Sequence, residues 1–65
     1  MQILVNGEPV ATDACTLAEL CATLGFTQAK VATAVNGCFV VSARRGLTPL
    51  APKDEVEIVA PRQGG

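Results

Sequence analysis

Thr16-Leu17-Ala18-Glu19-Leu20-Cys21-Ala22-Thr23-Leu24-Gly25-Phe26 is the stretch on which the fold turns. It opens with a capping box: the Thr16 hydroxyl can take the amide of Glu19, and the Glu19 carboxylate can reach back over the helix start. Leu17, Leu20, Cys21 and Leu24 recur at i, i+3, i+4 and i+7, one apolar stripe of a helix about two turns long. Gly25 supplies a left-handed stop, and Phe26 falls where a contact back onto the helix commonly forms. A helix with a single apolar stripe must lay it against something, and the flanking sequence supplies strands.

Upstream, residues 1–5 are apolar except at Gln2 and run straight into Asn6-Gly7. Asn-Gly is the strongest short hairpin signal, since both central residues of a type I′ turn need positive φ. Residues 8–12 return from that turn, with Pro9 confining them to a sheet edge or leaving them irregular. Downstream, residues 31–35 are small and β-branched, a second pair, Asn36-Gly37, ends them, and Phe39-Val40-Val41 pairs back. Periodicity is then lost among Arg44, Arg45, Gly46, Pro49 and Pro52, which reads as a connector with at most one helical turn or a very short strand around residues 47–50. Pro52-Lys53-Asp54 makes a turn. Residues 55–59 alternate charged and apolar side chains, as a half-buried strand does.

The order is therefore strand, strand, helix, strand, strand, connector, strand. One helix has to cover one face of one mixed sheet, because neither element can otherwise hide its apolar side. With the first and last strands together in the middle, the layout is an α+β fold of the β-grasp (ubiquitin-like) type with four to five strands. Ile3, Val5, Leu17, Leu20, Leu24, Val35, Val56 and Ile58 are the expected core. Residues 1–59 form the domain and residues 60–65 a flexible tail ending in Gly-Gly.

Composition narrows the function. A chain of 65 residues buries only about 60% of the surface its unfolded form exposes and has no room for a deep substrate cavity. That argues against an autonomous enzyme. Five basic against six acidic residues give a net charge of −1, with no basic stripe to neutralise phosphates, so nucleic acid is not an expected partner. Cys15, Cys21 and Cys38 are odd in number and show no C-x-x-C spacing, which matches neither a disulfide framework nor a zinc site. They read as reduced thiols packed as small apolar side chains. A persulfide relay would need an accessible thiolate of low pKa, and no neighbouring His or basic cluster suggests one. Neither a metal nor a bound cofactor is expected. Met1 runs directly into a strand pattern and the apolar runs are too short to span a bilayer, so the expected location is cytoplasmic and off the membrane.

The chemistry is expected in the tail, Ala60-Pro61-Arg62-Gln63-Gly64-Gly65. At an average glycine frequency of about 7%, two terminal glycines coincide by chance roughly once in 200 chains. A free carboxylate is a poor electrophile and must be activated, for example as an acyl-adenylate. To reach another protein's nucleotide site it needs a thin lead without side chains, which two glycines supply. Once adenylated, the Gly65 carbonyl can be attacked by a persulfide sulfur to leave a thiocarboxylate, a tethered sulfur nucleophile. The catalytic groups then belong to partners, which suits a chain without any histidine.

Over essentially its whole length the sequence resembles the ThiS family, the sulfur carriers of thiamine biosynthesis. The stretches that carry the resemblance are Met1-Gln2-Ile3-Leu4-Val5-Asn6-Gly7, Val31-Ala32-Thr33-Ala34-Val35-Asn36-Gly37, and Asp54-Glu55-Val56-Glu57-Ile58-Val59 leading to Pro61-Arg62-Gln63-Gly64-Gly65. The resemblance implies adenylation of Gly65 by an E1-like adenylyltransferase that uses ATP, sulfur from a cysteine desulfurase, and delivery to thiazole synthase. Two departures stand out. Lys53-Asp54 replaces the family's usual Gly-Asp turn, and around Val41-Ser42 the common Pro-Arg is absent, as is an aromatic residue in the connector.

Gly64, Gln63 and Arg62 are expected to be recognised wherever Gly65 is held. Leu4, Phe39 and Val59 are candidates for an apolar cluster on the outer face of the sheet; one flipped strand register would bury them instead. Glu57 shares a strand face with Glu55 and is a candidate docking residue beside that cluster. Arg44 and Arg45 read as solvated connector residues. The alternatives are the small subunit of molybdopterin synthase, with the same tail and a different acceptor, and a ubiquitin-like conjugation or binding module. The compact length and the Pro-x-Gln-Gly-Gly ending favour the thiazole branch.

Overall fold

The computed structural model describes residues 1–26 and 30–60. The elements are β1 (Gln2–Val5), β2 (Glu8–Ala11), α1 (Leu17–Thr23), β3 (Ala32–Val35), β4 (Cys38–Val40), a 3₁₀ segment (Ser42–Leu47) and β5 (Glu55–Val59). The sheet runs β2-β1-β5-β3-β4, with β1 and β5 parallel and the other pairs antiparallel. This is the mixed five-stranded β-grasp sheet with one α-helix that the sequence leads one to expect. Pro9 sits on the edge strand β2, where its missing N–H costs no ladder bond.

Both hairpins turn on Asn-Gly with positive φ at each central residue: 52° and 84° at Asn6 and Gly7, 51° and 83° at Asn36 and Gly37. These are the angles of type I′ turns, whose twist matches that of the strands. The asparagines do more than tolerate the turn. Asn6 Nδ2 donates to the Ile58 carbonyl at 3.0 Å while its Oδ1 accepts from the Ile58 amide at 2.9 Å. Asn36 Oδ1 accepts from the Glu55 amide at 2.9 Å, its own amide donates to the Glu55 carbonyl at 2.7 Å, and its Nδ2 donates to Asp54 Oδ1 at 3.0 Å. One carboxamide thus continues the β1–β5 ladder near the end of β5, and the other fastens its beginning.

Helix α1 starts as its capping box requires, with Thr16 Oγ1 accepting from the Glu19 amide at 3.2 Å. The return bond is shifted by one residue, since Glu19 Oε1 accepts from the Cys15 amide at 2.6 Å. At the other end Gly25, at φ 90°, sends its amide to the Ala22 carbonyl, and Phe26 sends its amide to that of Cys21. That pair of bonds is a Schellman motif. It explains a correction to the expected core. Leu24, 37% exposed, is the C-cap residue and has left the stripe, while Phe26 folds back against the core instead.

The buried residues are Ile3, Ala14, Leu17, Leu20, Cys21, Val56 and Ile58, with Val5 and Val35 half-buried against them. Period-2 alternation sends Val56 and Ile58 to the helix side and Glu55, Glu57 and Val59 to the other. The connector is more regular than its sequence suggests. Its 3₁₀ segment covers six residues rather than a single turn, and Pro49 makes one bridge to Thr16. Arg45 is the reason, and it is not a solvated residue. Its Nε donates to Thr33 Oγ1 at 3.0 Å and its Nη2 to the Val31 carbonyl at 2.6 Å. Thr33, 1% exposed, donates a hydrogen bond from its own hydroxyl to the Val40 carbonyl at 2.7 Å. With these bonds no buried side-chain polar atom among the described residues lacks a partner.

Lys53 occupies the turn before β5 with φ 71°, a left-handed conformation that a residue with a Cβ adopts at a cost of about 1 kcal/mol. Its amide donates to the Gln2 carbonyl at 2.8 Å, and the Asp54 carboxylate takes the Ala51 amide at 2.8 Å. Lys53→Gly is therefore expected to stabilise the fold by up to about 1 kcal/mol, read as a raised melting temperature. Asn6→Gly should do the opposite. Glycine satisfies the turn but abandons both bonds to Ile58, a loss of about 1–3 kcal/mol that a urea midpoint would register at unchanged slope. A neutral Asn6→Gly would mean the asparagine serves the turn alone.

Candidate functional site

The described residues supply little of what a self-contained catalytic site needs. No group of three or more His, Cys, Asp or Glu among them could hold a metal ion. A surface groove of about 690 Å³ lies open beside Met1, Thr12, Asp13, Glu19 and Thr23. Two carboxylate residues line it, Asp13 and Glu19, and that of Glu19 is already engaged in capping α1.

The cysteines divide in two. Cys21 is buried in the core, and that burial raises its thiol pKa above the ordinary 9.0, with the Arg45 charge pulling weakly the other way. Nucleophilic sulfur is thiolate sulfur, so Cys21 is a packing residue. Cys15 and Cys38 are free and exposed, contrary to the reading of all three as packed apolar side chains. Cys15 precedes the helix cap and Cys38 begins the edge strand β4, and among the described residues both stay exposed.

The four candidate surface residues all lie on the sheet face away from α1. Leu4 pairs with Glu55 across the β1–β5 ladder. Ala34 pairs with Glu57 on one side and Phe39 on the other, so Glu57, Ala34 and Phe39 form one row. Two strand spacings, about 10 Å, separate the ends of that row. Val59 pairs with Ala32 in the next row. Phe39 and Val59 are 68% and 61% exposed, Leu4 is half-buried and Glu57 is exposed. A shallow groove of about 390 Å³ crosses β5 here, bounded by Leu4, Asn6, Gly7, Gly37, Glu55 and Glu57. Sequence reading missed this groove because its walls come from two turns distant in the chain. Arg62, Gln63, Gly64 and Gly65 lie outside the described residues, as does most of the expected tail; β5 ends at Val59 and Ala60 follows exposed.

Comparison with known proteins fits this arrangement. The model of the ThiS family matches residues 2–65, nearly the full chain. The chain belongs to the ThiS family. A crystal structure of the thiamine biosynthesis protein ThiS from Geobacter metallireducens superposes with a TM-score of 0.83 at 29% identity, covering 100% of both chains. No curated protein sequence matches. ThiS proteins are small sulfur carriers, and membership supports that role here, which fits a carrier rather than an enzyme. No helix among the described residues is long and apolar enough to cross a membrane.

For a ThiS chain the departure at Lys53-Asp54 is now explicit: a lysine holds the left-handed position that glycine would occupy without strain. The thiols give a direct check on the site description. An alkylating reagent should modify Cys15 and Cys38 in the folded protein and Cys21 only after denaturant is added, as counted by intact mass. Rapid modification of all three in the folded state would contradict the buried position of Cys21.

Proposed function

We propose that this chain carries sulfur as a thiocarboxylate on its own C-terminus and donates it for thiazole formation in thiamine biosynthesis. The observation that supports this most is the extent of the family match, which runs to residue 65 and so includes Gly64 and Gly65. The similarity to a ThiS protein of thiamine biosynthesis, complete over both chains, supports the thiazole branch.

Chemically, an E1-like adenylyltransferase joins the Gly65 carboxylate to the α-phosphate of ATP and releases pyrophosphate. A persulfide supplied by a cysteine desulfurase attacks the activated carbonyl, and AMP departs. The resulting acyl disulfide is cleaved by a thiol, which leaves as the mixed disulfide and frees the thiocarboxylate. Thiazole synthase then accepts the sulfur. Nothing in this sequence requires a base, metal or cofactor from the carrier. Its duties are to present the carbonyl on a lead narrow enough to enter another active site and to be recognised. Arg62, Gln63 and Gly64 serve recognition next to the reacting atom. Leu4, Phe39, Glu57 and Val59 offer a face with apolar area for affinity and a carboxylate for orientation.

Incubation with ATP, a sulfur donor and the activating enzyme should exchange one oxygen for sulfur at the C-terminus, seen as an intact-mass shift. The shift should vanish when Gly65 is deleted. Transfer to thiazole synthase, and not to the large subunit of molybdopterin synthase, completes the assignment. An unchanged mass with a demonstrably active partner would remove it.

A further inference from the structure

The two side chains that fasten β5 are also among the least durable in the chain. In an Asn-Gly pair the glycine amide nitrogen can attack the asparagine Cγ, closing a succinimide ring and expelling ammonia. Water then opens the ring to aspartate or isoaspartate. The balance is one water gained and one ammonia lost, with no oxidation or reduction. Glycine favours the attack because no Cβ crowds its nitrogen. Around Gly7 and Gly37 the space is open, and a Cβ placed on either would meet nothing within 4 Å. Both asparagines are exposed. Steric cover therefore protects neither pair, and the restraint that remains is the hydrogen bonding of the carboxamides.

That restraint is unequal. The side-chain bonds of Asn36, to Asp54 and Glu55, are exposed and lie at the first residue of β5. Those of Asn6, to Ile58 near the other end of the strand, are partly buried. Exposed bonds open by local fraying and are replaced at once by water, whereas the partly buried bonds of Asn6 open less often. We propose that Asn36, and more slowly Asn6, are sites of spontaneous deamidation in the folded protein, and that conversion at either loosens the central strand. A carboxylate cannot donate. At position 36 it would face the Asp54 carboxylate across the present 3.0 Å contact, and at position 6 it would face the Ile58 carbonyl. Isoaspartate would in addition lengthen the main chain within a two-residue turn.

The test is to age the full-length protein in warm, mildly alkaline buffer, folded and in urea, and map aspartate and isoaspartate at each site. The folded chain should convert at Asn36 before Asn6, both at least ~10-fold more slowly than in urea. The aged protein should unfold at lower urea. Asn36→Asp should reproduce that lowering, and adding Asp54→Asn should restore most of it by returning a donor to the pair. Should the variants fold poorly, the aged wild-type chain still gives the answer. The proposal is overturned by equal rates folded and unfolded, by Asn6 converting first, by an unchanged urea midpoint after conversion, or by no conversion in the folded chain while the unfolded chain converts fully.

Discussion

Two carboxamides imitating main chain hold this fold in register. β5 is the middle strand, and both of its flanking ladders are short: two residue pairs with β1 and four with β3. Parallel pairing is the weaker kind per residue, and here it is extended by a side chain, because Asn6 offers Ile58 the donor and acceptor that a further backbone residue would have offered. Asn36 does the equivalent at the other flank with its own amide and its Oδ1. Glutamine could not be substituted without misplacing both atoms, and aspartate lacks the donor. A residue chosen for its tolerance of positive φ therefore also supplies the inter-strand bonds.

The second constraint is how the irregular connector joins a small core. A 3₁₀ segment with no buried residue of its own has little apolar area to dock with. Polar chemistry does the docking, through Arg45 to Thr33 and Val31, and through Thr33 to Val40. A buried threonine hydroxyl is tolerated because its donor and its acceptor are both used; valine at that position would leave the guanidinium Nε without its acceptor. The same guanidinium lies close enough to favour the Cys21 thiolate a little, although the opposing effect of burial dominates there.

Much of this was legible in the residues. The capping box, the apolar stripe and the left-handed glycine delimited α1, and two Asn-Gly pairs located both hairpins, because each signal is local and has one physical meaning. Leu24 misled because periodicity says where a stripe points and not where the helix stops; the Schellman bonds ended it a residue early. Arg45 was invisible as a structural residue, since its acceptors are 12 and 14 positions away. Cys15 and Cys38 were misread for a related reason: a small apolar side chain is buried only if a second layer exists above it, and sequence does not reveal the edges of a layer. For the candidate surface, the period-2 rule placed Leu4, Phe39, Glu57 and Val59 on one face, whereas the groove between the two turns needed the sheet order to become visible.

The placement of β5 also sets how the molecule comes into being. The strand between the two hairpins is the last of the five, and its bond to Asn6 joins residues 52 positions apart. Each hairpin and the helix can flicker into shape from neighbouring residues, but the β1–β5 ladder cannot exist until the chain has closed on itself across nearly its full span. Closing so long a loop is an entropic toll met before any reward arrives. The two halves of the sheet are joined last, and a polypeptide interrupted ahead of Glu55 is two unconnected hairpins and a helix with nothing to lean on.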